Sequence, residues 1–122
     1  LQRLLIHIEK NLEWASLRPE SAQVLVHIYV SASHDPVFSK LYDAMIARAH
    51  DRIREHLLAG VRERIFTLDL STELMARTLH DLIVGSFIKM MASRIGQPIV
   101  YKPTEWKEIL EPLLGVDKKF KI

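Results

Sequence analysis

Three of the six histidines are followed directly by an aspartate: His34-Asp35, His50-Asp51 and His80-Asp81. Neutral imidazole and carboxylate together can hold a divalent ion that activates water for attack on phosphate. A metal-dependent phosphohydrolase of the H…HD…D kind would draw on His27 or His34, then His50-Asp51, then Asp81. A bare His-Asp pair fixes no coordination geometry, however, and His50, Asp51 and Arg52 stand among mixed charges, as solvated helix faces do. Other signatures are missing from the chain. Its glycines stand only at 60, 85, 96 and 115, which leaves no Gly-x-Gly-x-x-Gly, P-loop or Gly-x-Ser-x-Gly. There is no His-Glu-x-x-His, and no Glu has a His three residues on. With no Cys, the chain has no disulfide, thiolate zinc site or Cys nucleophile. The expectation is a protein that is not an enzyme, with no catalytic residue, metal ligand or cofactor.

A second set of residues suggests binding. Tyr and Trp offer an apolar body with a polar tip, and Met adapts its shape. Trp14, Tyr29, Phe38, Tyr42, Met45, Phe66 and Met75 recur along successive elements, joined by Leu79 and by His27 within an apolar run. Pointing inward together, they would line a hydrophobic cavity with a few hydrogen-bonding tips. Each has the alternative of being plain core, His27 as a hydrogen-bonded core histidine; the chain would then be a purely structural helical interaction module that dimerises but holds no interior cavity.

The elements that must position these residues read as helices almost throughout. Leu1–Ser16 carries Leu4, Leu5, Ile8, Leu12 and Ala15 on one stripe. Pro19 starts a second helix running to about Ala32, apolar all round its middle and so expected to be central. Asp35 caps a long helix from about Val37 to Leu58, striped with Phe38, Leu41, Tyr42, Met45, Ala49, Ile53 and Leu57, with Gly60 as a natural C-cap or, alternatively, with helix resuming through Val61–Ile65. Phe66–Leu70 is a connector. Ser71 caps a helix to about Arg94 that ends at Gly96 and Pro98. Ile99–Lys102 is a loop, and Thr104 caps a last helix to Leu114 that Pro112 should kink. The tail from Asp117 to Ile122 is expected to fray. The fold class is therefore all-α, one domain of five or six helices over residues 1–122.

The helix from Ser71 carries two apolar stripes. Met75, Leu79, Leu82, Ser86 and Met90 form one; Ile83, Phe87 and Met91 form the other. The second stripe predicts either a helix buried on both sides or a face for a partner subunit.

Composition bounds the rest. The 122 residues are 48% hydrophobic and 26% charged, an ordinary globular balance. Lys and Arg number 17 against 15 Asp and Glu, and residues 1–60 hold seven of each sign. A net charge of +2 is thin support for a nucleic-acid face, which needs a dense basic patch. No apolar run approaches the roughly 18 residues a membrane span requires. The absence of Cys fits a reducing, cytoplasmic compartment. The chain opens at Leu1, already in helical rhythm, which reads as a fragment of a longer protein.

The stretch Ile53-Arg54-Glu55-His56-Leu57-Leu58-Ala59-Gly60-Val61-Arg62-Glu63-Arg64-Ile65-Phe66-Thr67-Leu68-Asp69-Leu70 resembles the end of a long helix and the following turn in TetR-family transcriptional regulators. Leu82-Ile83-Val84-Gly85 is similar to the Leu-x-x-Gly element of that family's next helix, and Thr104–Leu114 stands where its final helix follows. The resemblance covers residues 36–114, with Arg64 where the family often has Gly. It implies a C-terminal regulatory domain that binds a small lipophilic or aromatic effector. It also implies a homodimer in which the last two helices form a four-helix bundle, here through Ile83, Phe87, Met91, Trp106, Leu110 and Leu113. DNA would be bound only through an N-terminal helix-turn-helix domain that this chain lacks, with Leu1–Ser16 as the linking helix.

Overall fold

The apolar stripe of the first sixteen residues organises the molecule. In a computed structural model that describes residues 1–92 and 101–117, this stripe lies on α1 (Gln2–Leu17), whose buried residues are Leu4, Leu5, Ile8, Leu12 and Ala15. These positions recur at three- and four-residue intervals, so one face of the helix takes all of them. Full burial of a Leu or Ile side chain is worth about 1.5–3 kcal/mol. That face meets all four of the other described helices, α2 (Pro19–Ser31), α3 (Pro36–Arg62), α4 (Thr72–Ala92) and α5 (Pro103–Leu114). The protein is all-α: 82% of the described residues are helical, and none of them is in a strand.

Local chemistry sets most helix ends. Pro19 and Pro36 stand at first helical positions, where their missing N–H is not needed. The Asp35 carboxylate accepts from the N–H of Val37 at 2.9 Å and of Phe38 at 3.4 Å. Ser71 Oγ accepts the N–H of Leu74 at 3.2 Å. α5 starts one residue before the expected Thr104. Pro103 is its first residue, and the Glu105 carboxylate accepts the Lys102 N–H at 2.9 Å. Pro112 sits inside α5, which continues to Leu114. The expected end of α4 near Arg94, Gly96 and Pro98, the start of the Ile99–Lys102 loop and the tail from Lys118 lie outside the described residues.

α3 runs past Gly60. That glycine is not a cap but a buried contact point: a Cβ there would overlap the ring of Phe66. The helix runs to Arg62 and is closed by Arg64, the non-glycine residue with positive φ among the described residues, +60°. Ile65 N–H reaches Gly60 O at 2.8 Å and Arg64 N–H reaches Val61 O at 3.1 Å, the bond pair of a Schellman ending. α5 ends the same way with Gly115, also at φ +60°: Val116 N–H reaches Glu111 O at 3.0 Å and Gly115 N–H reaches Pro112 O at 3.3 Å. The two endings are tied together. Thr67 N–H donates to Leu114 O and Gly115 O, each at 3.1 Å, and Asp117 N–H donates to Ile65 O at 3.1 Å. The connector after α3 is thus docked on the end of α5, with Phe66 buried beneath it.

Two expectations change places. α2, apolar all round, is peripheral: it buries only Ala22 and Ser31, and Val24 and Val30 are 60% and 66% exposed. The central helix is α1, which the sequence reading assigned to a linker. A hydropathy pattern says how much apolar surface an element carries, but not how many neighbours reach it. The first half of α3 is also open: of its predicted stripe only Ile53 and Leu57 are fully buried, while Leu41 is exposed.

Candidate functional site

Between the bare first half of α3 and the helices around it lies a cavity of about 510 Å³. α1 contributes His7, Asn11, Leu12 and Trp14; α2 contributes Leu25 and Tyr29. α3 contributes Met45, Arg48, Ala49, Arg52 and Ile53; α4 contributes His80, Ile83, Val84 and Phe87. A neighbouring groove of about 880 Å³ runs between α2, α3 and α4, and Tyr29, His80 and Val84 line both spaces. The groove carries charges of both signs, Asp43 and Asp81 with Arg77. Such volumes fall within the range of small-molecule sites.

Aromatic pairs build the partition. Tyr29 meets Tyr42 edge to face, ring centres 5.7 Å apart. His80 meets His50 at 4.9 Å in the same geometry. Burial pushes the Tyr29 phenol above its usual range, and Tyr42 adds to this. Burial pushes the His80 imidazole below its usual range; His50 lowers it further and Asp81 opposes the shift. His7 is likewise lowered, first by burial, then by His56 and Arg52, and its ring lies 5.3 Å from that of His56. Neutral imidazole is therefore the favoured form of His7 and His80 inside the fold.

Three of the expected ligand-binding residues, Trp14, Tyr29 and Met45, line the cavity, and Tyr42 lines the adjoining groove. His27 and Phe38 pack on each other at 5.4 Å and line neither space. Phe66, Met75 and Leu79 are core, 4%, 1% and 1% exposed, and line neither. Of the expected dimer set, Ile83 and Phe87 are buried within this chain and form a cavity wall. Trp106 and Leu110 are buried too, and Met91 and Leu113 lean on the same core. α4 packs against α1, α2 and α3, and Ile83 and Phe87 of its second stripe are buried without any partner. The Trp106 indole N–H finds no acceptor among the described residues.

Arg48, Arg52, His7, Asn11 and His80 also line the cavity, although their pattern in the sequence does not single them out as binding residues. His80 carried a signal: it is three and seven residues before Ile83 and Phe87, on the same helix face. Arg48 and Arg52 carried a weaker one, standing one residue before Ala49 and Ile53 of the apolar stripe.

The residues of the alternative metal centre do not gather. Among the described residues no three His, Asp or Glu side chains are placed to hold a metal ion. The Asp51 carboxylate is turned to Arg54 at 2.6 Å, and His34 lies against Ser33 Oγ at 3.4 Å. No helix among the described residues is long and apolar enough to cross a membrane. Comparison with protein-family models, curated proteins and solved structures finds no match.

Proposed function

We propose that this chain is a ligand-sensing domain, the effector-binding and dimerisation part of a TetR-like transcriptional regulator. The observation that supports it best is the cavity itself, apolar within and edged by polar groups, with elements of four helices around it. A purely structural helical module would have no use for such a space, since a void forfeits packing contacts. A small lipophilic or aromatic molecule would enter between α1 and α3 and rest on Trp14, Met45 and Phe87, with Tyr29 and His80 offering hydrogen bonds.

In this reading DNA is bound through sequence outside these 122 residues. Two DNA-binding units must sit about one helical turn, roughly 34 Å, apart to grip a palindromic operator. An effector that binds one arrangement of α1 against α3 and α4 better than another shifts the population between gripping and releasing states. α1 suits that role because it both walls the cavity and packs on every other described helix.

Fluorescence titration with the neutral dye Nile red tests the cavity. Saturable binding at one dye per chain is expected, and Ala49→Trp, which fills the space from α3, should abolish it while the helical circular dichroism persists. Absence of saturable binding to the unaltered chain would overturn the reading.

A further inference from the structure

The charged groups at the edge of the main cavity, Arg48 and Arg52, are both cations. Arg48 and Arg52 lie four residues apart on α3, so both side chains leave the same face of the helix. Facing them from α1 are His7 and Asn11. No Asp or Glu lines this cavity, although the chain has 15 acidic residues. Among the described residues no carboxylate pairs with Arg48 or Arg52; the ion pair on this helix joins Arg54 to Asp51. The adjoining groove sets Arg77 against Asp43 and Asp81 and has no such bias.

Behind this cationic edge the wall is apolar, formed by Leu12, Met45, Ile83 and Phe87 among others. A guanidinium presents a planar fork of donors that matches the oxygens of a carboxylate or phosphate. Two of them without partners beside an apolar space define a ligand with two unlike ends. We propose that the cavity takes an anionic amphiphile, its apolar body between α1, α3 and α4 and its acidic head on Arg48 and Arg52. A cationic amphiphile would meet like charge there. A neutral one would fill the apolar space and leave both arginines to water. The proposal rests on the ligand-sensing reading above and narrows it to one chemical class.

Calorimetric titration of the 122-residue chain with four probes of equal chain length tests it: decanoate, decyl phosphate, decanol and decyltrimethylammonium, each below its micellar range. Either anion is expected to bind about tenfold more tightly than decanol, equivalent to about 1.4 kcal/mol. The factor is modest because the arginines are exposed and water screens them. The order of decanoate and decyl phosphate tells which acid the edge prefers. The double variant Arg48→Gln/Arg52→Gln should bring both anions level with decanol and leave decanol binding unchanged. Arg48→Lys/Arg52→Lys should keep part of the preference. Both positions are on the surface, so the variants should retain wild-type helicity. Decanol binding as tightly as the anions would overturn the anionic class, as would a preference that survives the Gln variant. In either case the cavity would still be a small-molecule site. Failure of all four probes with Nile red still bound would also overturn the anionic class. Failure of all five would remove the ligand-sensing reading itself.

Discussion

Among the described residues, Arg64 is the non-glycine residue whose backbone enters the left-handed region. Its φ of +60° is a region that Gly occupies freely and other L-residues enter at a cost of about 1–2 kcal/mol. The Schellman bonds that end α3 hold it there. Arg64→Gly should therefore stabilise the fold by about 0.5–1 kcal/mol, after the greater freedom of Gly in the unfolded chain is deducted. Urea denaturation would measure the gain, and a loss of stability would mean that the Arg64 side chain outweighs its backbone. His80 presents a different residue-scale balance. Burial lowers its pKa below the 6.5 of a free imidazole. As pH falls through about 6.5 the unfolded chain takes up a proton more readily than the folded one. The stability tied to His80 is thus complete above that pH and is lost below it, until the folded state protonates as well. His7 and His56 are lowered too and add to the loss with the same sign. His80→Gln should make the fall in urea midpoint on acidification shallower but not flat. An unchanged slope would show that His80 does not carry this linkage.

At the scale of elements, α4 has the most to explain. Its Ala76, His80, Ile83 and Phe87 are buried, and the last three line the cavity. Ile83 and Phe87, on a stripe that the sequence offered equally to a partner subunit, are buried within this chain. Phe87→Glu should therefore act on folding: a carboxylate in place of a ring 6% exposed should cost more than about 3 kcal/mol and melt the isolated chain. A residue that merely touched a partner would leave the melting curve of a dilute monomer unchanged. The opposite line of α4 remains available. Ile88 is 44% exposed, and a side chain added at Gly85 would point into open space.

For the whole molecule the open question of assembly follows from that outward line. If the chain forms a homodimer as proposed, native mass spectrometry should give about twice 14.1 kDa. Ile88→Glu should then reduce the mass to that of one chain without altering helicity. A dimer that survives the change would place its contact elsewhere. Two spaces separated by Tyr29, His80 and Val84 give the molecule an asymmetric interior, one edge cationic and one of mixed charge.

Helix content, the Pro and Asp starts of α2 and α3, the Ser71 cap and the full buried stripe of α1 were legible from residue order. They depend on interactions within a few residues: a carboxylate reaching an N–H two places on, a proline without a donor, an apolar period matched to the helix turn. The ends of α3 and α5 were less so, because the Gly60–Phe66 contact and the tie from Thr67 to Gly115 depend on how the chain returns on itself. The site was legible only in its apolar half. Trp14, Tyr29 and Met45 signalled a pocket by their chemistry, whereas Phe66, Met75 and Leu79 have the same chemistry and proved to be core. Arg48 and Arg52 resemble any solvated pair until α1 is laid across from them. Propensity and period act along the chain and belong to the sequence; which apolar face is covered, and which charge borders an empty space, are set by packing between distant segments and exist only once the helices have met.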